Sequence, residues 1–330
     1  MTLVLGAYPV EPTDHVEQRV FYEALHRSGF YSALEVPFHA DGGLPFPEAA
    51  PAAWSAVVTA IPGTMQRMVD DRFFGLASTD DESRLRAVAF TATIRDYVER
   101  LAHEGRQTLA VQLHSAPRAH GSAMALAASL REIVDWDWSG AHITLEHCDA
   151  LTDSHAPEKG FLSLEEEIEA VSAVTGVSHV GVGVTINWAR SVIEARDPTE
   201  AERHISRASA AGVLAGVMFS SCSPEATEFG YPWIDAHLPA REVHGAPSSS
   251  LLTLARIRNC LSAADQPKYA GLKVGLLPRT LSAEVLAERL DSMACAIAKG
   301  LDDVTLHPSS TPFRAVDHDA GQRHVSSQVT

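Results

Sequence analysis

Alternating apolar and polar positions recur in short runs along most of the chain. In the run LEVPF, Leu34 and Val36 are apolar and Glu35 falls between them, while in LAVQLHS the apolar Leu113 precedes His114. Because successive side chains of a strand point to opposite faces, each run separates an apolar face from a face with a polar group. Three later runs repeat the pattern with the polar residues Glu146, Asn187 and Lys273. We interpret this pattern as a barrel lined with an active site.

The apolar runs alternate with longer amphipathic stretches, which is typical of βα units and a parallel sheet. The sequence predicts eight strands, at Thr2–Ala7, Ser32–Pro37, Ala56–Ala60, Thr108–His114, His142–Glu146, Val180–Asn187, Leu214–Ser220 and Leu272–Leu276. Eight βα units close a barrel, so the predicted fold class is α/β, a (β/α)8 TIM barrel. We predict a single barrel domain over residues 1–312 and a surface-bound or disordered tail over residues 313–330.

Helices are predicted between the strands, at Thr13–Arg27, Asp81–His103, Gly121–Val134, Leu164–Thr175, Thr199–Ala210, Ser248–Ala263 and Ser282–Lys299. The second unit is the exception, because its Pro- and Gly-rich segment at residues 39–54 favours only a turn or a short helix. The segments Pro62–Asp80 and Cys222–Pro247 are long and irregular, and we expect both to act as lids over the strand ends.

Composition and charge restrict the function classes. With 330 residues, 45% hydrophobic and 21% charged, the chain is typical of soluble globular proteins, and it contains no apolar run long enough for a bilayer. A formal net charge of −16 argues against a nucleic-acid partner. The N-terminus has no secretory pattern and the four cysteines are scattered, so we predict a cytoplasmic protein with reduced thiols. The composition is compatible with binding of a small anionic ligand and with formation of a homo-oligomer.

Three polar residues of the runs are candidate catalytic groups. Glu146 could act as a general base, with burial raising its pKa toward the working range. His114 suits proton transfer or hydroxyl binding, although it could equally be a hydrogen-bonded core histidine. Lys273 requires a counter-charge from Glu35 or Glu146, and such a pair could be purely structural. Alternatively, a depressed pKa would make Lys273 an acid, a base or a Schiff-base nucleophile.

Other residues are candidates for substrate binding. Asn187 and Trp188 could bind a sugar through an amide and an indole face, or could serve as a strand-end cap and a packing residue. Arg190 or Arg241 could hold an anionic group, and His237 could close over a ligand from the second lid. Solvated loop charges are the alternative for the lid residues. Glu35 completes the predicted binding set.

The strand order, the LEVPF strand and the TLEHCD segment resemble the xylose-isomerase-like TIM barrels, the superfamily of sugar isomerases, 3-epimerases and type IV endonucleases. The resemblance extends over roughly Thr2 to Gly300. It implies a divalent metal held by Glu, Asp, His and Glu at the ends of strands five to eight. It also implies that the two Glu residues exchange protons with the substrate carbon.

Three of these four ligand positions are altered in this chain. Glu146 matches the fifth-strand Glu, but the following positions carry Asn187, then Ser220 or Ser221, then Lys273. Such donors suit Mn²⁺ or Mg²⁺ poorly, so no metal or other cofactor is assigned. If an Mn, Mg or Zn ion is present, Glu146 is its first ligand. Other residues could rebuild a metal site: His114, His147, His237 and Asp149.

The sequence therefore predicts a sugar isomerase or epimerase acting on a small carbohydrate. Glu146 would abstract a proton next to a carbonyl, and Lys273 or His114 would stabilise the enediolate or return the proton. One alternative is a lyase or aldolase in which Lys273 forms a Schiff base. A second alternative is a barrel that binds a sugar without converting it.

Overall fold

Eight parallel strands close into a barrel with helices between them, as the sequence predicts. The structure is a computed structural model that describes residues 2–176 and 180–306, so the predicted tail at 313–330 lies outside the described residues. The strands are β1 (Thr2–Gly6), β2 (Ala33–His39), β3 (Gly42–Gly43), β4 (Ser55–Thr59), β5 (Thr108–Leu113), β6 (His142–His147), β7 (Val182–Asn187), β8 (Leu214–Phe219) and β9 (Tyr269–Lys273). Their order is β1-β9-β8-β7-β6-β5-β4-β2, and pairing of β1 with β2 closes the ring, while β3 forms a short antiparallel addition to β2.

The helices pack around the outside of the barrel. They are α1 (His15–Ser28), α2 (Ile61–Asp70), α3 (Asp81–His103), α4 (Ala123–Ile133), α5 (Leu164–Ser172), α6 (Trp188–Ala195), α7 (Glu200–Ala210), α8 (Leu254–Ala263) and α9 (Ala283–Leu306). The described residues contain no helix between β2 and β4, which agrees with the weak second unit. None of the helices in the described ranges has both the length and the apolar character that crossing a membrane requires.

Several elements differ from the prediction, and three of these differences have local physical reasons. The expected lid at Pro62–Asp80 was wrong in its first half, because Pro62 occupies the first turn of α2, where a proline is well tolerated. Helix α6 was missed because it follows β7 directly and has no side-chain N-cap. Helix α8 begins six residues later than predicted, at Leu254, where the Thr253 side chain accepts a hydrogen bond from the Arg256 N–H.

The last barrel strand also begins earlier than predicted, at Tyr269, because its inward positions do not carry a regular apolar pattern. Tyr269 and Gly271 occupy those positions, and the Tyr269 hydroxyl lies 3.2 Å from Gln112 Nε2 and 2.6 Å from Thr185 Oγ1. A Cβ atom at Gly216 would lie 2.4 Å from the Tyr269 ring, so the ring fills the space that glycine leaves. Apolar side chains complete this floor of the barrel, and they are Val4, Ala33, Val57, Ala110 and Met218.

Candidate active site in the barrel

Glu146 is the centre of a fully buried polar cluster at the carboxyl end of the barrel. Its Oε2 atom lies 2.7 Å from Arg190 Nη1 and 3.1 Å from His114 Nε2. Its Oε1 atom accepts a hydrogen bond from Asn187 Nδ2 at 2.9 Å and lies 3.5 Å from Lys273 Nζ. Strand alternation explains the convergence, since these positions of β6, β7 and β9 share the inward face. Glu146 is thus surrounded by four other residues that the sequence predicted for the site.

Lys273 connects Glu146 to a second buried carboxylate. Its Nζ atom donates a hydrogen bond to Glu35 Oε1 at 3.2 Å, which is the ion pair expected from the sequence. A Cβ atom at Gly6 would lie 2.9 Å from both Glu35 Oε2 and Lys273 Cβ, so glycine at this inward position of β1 makes room for the pair. The Tyr8 ring lies 5.9 Å from Lys273 Nζ. The inward face of β1 therefore helps to shape the site.

Charge interactions keep Glu146 ionised. Burial alone would raise its pKa, but Arg190 and Lys273 hold the pKa of the carboxyl well below its usual range. The expectation that burial raises the pKa of Glu146 was therefore wrong, because the sequence did not reveal the two cations. Burial likewise acts to lower the pKa of Lys273, yet Glu146 and Glu35 raise that pKa above its ordinary value. Lys273 is accordingly an ammonium ion.

Glu35 and His114 have different electrostatic surroundings. Burial raises the pKa of Glu35, and Lys273 offsets only part of that effect. Burial lowers the pKa of His114 to about 4, although the hydrogen bond with Glu146 acts in the opposite direction. His114 is therefore a neutral imidazole at pH 7.

The segment after β8 covers the cluster, as predicted for the lid at Cys222–Pro247. Asp235 accepts hydrogen bonds from Arg190 Nε at 3.1 Å and from Lys159 Nζ at 3.1 Å. His237 Nδ1 lies 3.6 Å from Asp235 Oδ1, and its ring packs edge-on against Tyr8 with 6.3 Å between centroids. Arg190 is thereby held between the lid and Glu146.

Two predicted binding residues lie away from the cluster. Trp188 follows the inward Asn187 and points the other way, into the hydrophobic core between the barrel and its helices. Arg241 is exposed, and its Nε atom donates to the Ser250 carbonyl oxygen at 2.8 Å. We therefore assign neither residue to the site. Their types suggested sugar or anion binding, but their backbone positions direct the side chains elsewhere.

Two residues of the cluster were missed by sequence reasoning. Tyr8 continues the inward alternation of β1 beyond Gly6, and this continuation was a usable signal. Lys159 lies in the long segment between β6 and α5, and no sequence pattern marks it as a residue of the cluster.

Several buried polar atoms around the cluster have no hydrogen-bond partner among the described residues. They are Glu35 Oε2, Thr59 Oγ1, His114 Nδ1, Asn187 Oδ1 and Ser220 Oγ. Buried polar groups in native proteins are almost always paired, so each exception requires a reason. Their common location at inward strand ends leaves these atoms free to bind a ligand.

The barrel residues do not fit the divalent metal that the family resemblance implies. Both oxygens of Glu146 face cations, with Arg190 at 2.7 Å and Lys273 at 3.5 Å. The other positions offer an amide at Asn187 and a hydroxyl at Ser220. A divalent ion at these four positions would lie beside a guanidinium and an ammonium, and Glu146 would be the one carboxylate among them.

Of the four residues that could have rebuilt this metal site, His114 contacts Glu146, but within the described residues none of the four forms a group of metal-binding spacing with it. His147 points away from the barrel interior and contacts Glu167 and Glu194. Asp149 accepts a hydrogen bond from the backbone N–H of Lys159 at 2.9 Å. We therefore derive no catalytic step through a barrel metal.

The fold is that of a (β/α)8 TIM barrel, and it resembles several solved structures of xylose-isomerase-like proteins. The structure resembles the IolI protein, solved with a bound zinc atom, with a TM-score of 0.58, 11% identity and coverage of 91% of this chain and 99% of that chain. It resembles D-psicose 3-epimerase from Clostridium cellulolyticum H10 with a TM-score of 0.50, 16% identity and coverage of 93% and 99%. A xylose isomerase domain-containing protein from Salmonella typhimurium LT2 gives a TM-score of 0.53 at 10% identity, with coverage of 90% and 97%. At these identities the likeness shows a shared fold.

Sequence comparison identifies the family within this class. The chain belongs to the family described as "Domain of unknown function (DUF4862)", whose family model matches residues 4–292. It is also similar to the uncharacterized protein STM3670 of Salmonella typhimurium strain LT2. The two are 34% identical over 300 residues, which cover 86% of this chain and 91% of that protein.

Proposed function

We propose that the protein is a sugar isomerase or epimerase that moves a proton next to the carbonyl of a small carbohydrate, with Lys273 in the electrostatic role of a metal. The neighbours in fold support this reaction class, since they include an epimerase and a xylose isomerase domain protein. The proposal depends mainly on one observation, the set of unpartnered polar atoms at the inward strand ends.

The charge balance of the cluster favours a neutral sugar over an anionic one. Its three carboxylates are matched by three cations, and these residues are Glu35, Glu146 and Asp235 with Lys159, Arg190 and Lys273. An anionic group would require a cation that is not already paired. The unpartnered atoms, in contrast, can bind hydroxyl groups without any change in charge.

Glu35 is better suited than Glu146 to accept the proton. Both oxygens of Glu146 are engaged by cations and donors, which makes this carboxylate a weak base. Glu35 keeps Oε2 unpartnered, and its raised pKa brings it closer to the working range of a general base. Glu146 then has a positioning role, because it orients His114, Asn187 and Lys273.

The proposed reaction is a simple proton shift. Glu35 Oε2 takes the proton from the carbon next to the carbonyl, the C–H electron pair forms a carbon–carbon double bond, and the carbonyl π electrons move to oxygen. The Lys273 ammonium stabilises the resulting enediolate oxygen. Glu35 returns this proton to the former carbonyl carbon, and the proton of the neighbouring hydroxyl moves through His114 Nδ1 to the enediolate oxygen, which gives the isomer. For the epimer, the Lys273 ammonium protonates the original carbon from the opposite face, and the proton held by Glu35 restores the ammonium. The unpartnered Nδ1 of His114 can accept a proton from a sugar hydroxyl.

The Schiff-base alternative is disfavoured by the charge state of Lys273. A nucleophilic amine must be unprotonated, whereas Glu146 and Glu35 hold this group as an ammonium.

Exchange of carbon-bound hydrogen in D₂O tests the proposal across many sugars at once. Protein purified without added metal is incubated with a panel of neutral aldoses and ketoses, and NMR follows the loss of C–H signals. We expect exchange with at least one sugar, and we expect Glu35→Gln to slow it by about 100-fold or more, the usual contribution of a general base. Glu23→Gln, an exposed glutamate of α1, is the matched control and should exchange like the wild type.

Three results would contradict the proposal. Undiminished exchange in Glu35→Gln would remove Glu35 from the reaction. A borohydride-trapped sugar adduct on Lys273 would favour the lyase or aldolase. Saturable sugar binding without exchange in the wild-type protein would indicate a non-catalytic barrel.

A further inference from the structure

A second group of histidine and glutamate side chains lies on the outer side of the barrel. His147 ends β6 and points outward, Glu194 belongs to α6, and His204 belongs to α7. Glu194 Oε2 lies 3.1 Å from His147 Nε2, and Glu194 Oε1 lies 3.7 Å from His204 Nε2. Within residues 2–176 and 180–306, these three residues form the one cluster whose ligand atoms have metal-binding spacing, all within 4.8 Å of one another.

The other nitrogen of each imidazole already has a partner. Glu167 Oε2 lies 2.8 Å from His147 Nδ1, and Ser115 Oγ donates to Glu167 Oε1 at 2.5 Å. Ser191 Oγ lies 3.0 Å from His204 Nδ1. Metal-binding histidines characteristically donate their second N–H to a carboxylate or another oxygen, which fixes the tautomer and the ring orientation. His147 Nε2 therefore faces Glu194, and His204 Nε2 lies between Glu194 and Glu200.

The distances and the chemistry of the donors agree with zinc. Tetrahedral Zn²⁺ with bonds of 2.0–2.2 Å holds its donor atoms about 3.3 Å apart, close to the separations around Glu194. Glu200 Oε1, 3.1 Å from His204 Nε2 and 3.6 Å from Arg207 Nη1, is the next carboxylate oxygen beside the cluster. The His147 and His204 side chains are 0% and 2% exposed, whereas those of Glu194 and Glu200 are 16% and 12% exposed. The cluster is thus closed on the barrel side and reachable from the surface.

We infer that His147, Glu194 and His204 bind a structural Zn²⁺ ion outside the barrel. In the metal-free protein His147 is held as an imidazolium: burial lowers its pKa, but Glu167 and Glu194 raise that pKa to about 10. Zinc takes the place of the proton on His147 Nε2, and this proton is released to solvent.

The ion would connect two elements that hold the barrel cluster. His147 follows Glu146 directly in β6, and Glu194 lies one turn beyond Arg190 in α6. The zinc site therefore fixes the strand and the helix that present the Glu146–Arg190 contact. The inference does not depend on the proposed reaction, since it concerns different side chains on the opposite face of β6.

Zinc titration of the untagged, chelator-stripped full-length protein tests this site. We expect one equivalent of zinc to remain after gel filtration, a higher Tm with zinc, and visible absorption bands typical of tetrahedral coordination when Co²⁺ replaces Zn²⁺. His204→Gln should weaken zinc binding by about tenfold or more and abolish the rise in Tm. His26→Gln, an exposed histidine of α1, is the matched control and should bind zinc normally.

Further variants separate this site from one in the barrel. Glu146→Gln should retain zinc, whereas loss of zinc from Glu146→Gln with retention in His204→Gln would overturn the inference. Failure of the wild-type protein to hold stoichiometric zinc would overturn it as well. If His204→Gln does not fold, Ser191→Ala keeps all three ligands, and we expect it to weaken zinc binding about tenfold; unchanged affinity would contradict the proposed arrangement.

Discussion

Replacing Lys273 by Met is expected to destabilise the protein by about 3–5 kcal/mol and to abolish turnover. The substitution keeps the volume of the side chain but removes the ammonium that contacts Glu35 at 3.2 Å and Glu146 at 3.5 Å. Two fully buried carboxylates would then repel each other, with Arg190 as the remaining nearby cation. Urea unfolding at pH 7 measures the loss of free energy, and hydrogen exchange in D₂O measures the loss of activity.

Two further variants make this result specific to the buried pair. Lys268→Met removes an exposed lysine just before β9 and should change stability by no more than about 0.5 kcal/mol. The double variant Lys273→Met/Glu35→Gln should be more stable than the sum of the single changes predicts, because it also removes one uncompensated charge, with a coupling of about 1–3 kcal/mol. If the effects of the two single substitutions on the free energy of unfolding were additive, the 3.2 Å contact between Lys273 and Glu35 would not contribute to stability as proposed.

The barrel and its inward polar residues were predictable because alternation is a local property of a strand. The period of two assigns Glu35, Glu146, Asn187 and Lys273 to one face before any tertiary contact is known. Closure of eight such strands then forces their ends together. The contacts of Glu146 with Asn187 and Lys273 follow from these two facts alone.

The electrostatics of the site could not be predicted in the same way. Arg190 lies in a short uncapped helix, and Asp235 lies in an irregular segment 45 residues further along the chain. The pKa of Glu146 depends on where these side chains lie in the folded protein. The sequence therefore predicted a general base at Glu146, whereas in the structure its carboxylate stays ionised beside two cations. Trp188 illustrates the same limit, since its residue type suggested sugar binding while the alternation after Asn187 directs it into the core.

The cluster of His147, Glu194 and His204 could not be predicted from the sequence for a related reason. His147, Glu194 and His204 come from a strand and two helices, and no short motif joins them. In the sequence His147 stood out only as a neighbour of Glu146. Its outward direction follows from alternation, but its partners follow from the packing of α6 and α7 against the barrel.

Acidification from pH 7 to pH 4 is expected to destabilise the protein, and His114 should contribute to the effect. Its pKa is about 4 in the folded protein against an ordinary value of 6.5, because burial disfavours the imidazolium. Below pH 6.5 the unfolded chain therefore binds a proton that the folded protein does not. The stabilisation by neutral His114 is complete above pH 6.5, and it is lost as the pH falls toward 4, by at most about 1.4 kcal/mol for each pH step of one.

Other groups of the cluster modify this slope. The pKa of His237 is also lowered to about 4, chiefly by burial, so His237 contributes with the same sign. The raised pKa of Glu35 acts in the opposite direction, since the folded protein takes up that proton more readily than the unfolded chain.

Urea unfolding at several pH values between 7 and 4.5 isolates the contribution of His114. His114→Asn keeps an amide donor for Glu146 but has no titrating group, so its stability should fall less steeply, by about 1 kcal/mol for each pH step of one. His26→Gln, the exposed control on α1, should follow the wild-type slope. Equal slopes for His114→Asn and the wild type would mean that His114 is protonated in the folded protein. In that case its Nδ1 atom would carry a proton at acidic pH and could not serve as the hydroxyl acceptor of the proposed reaction.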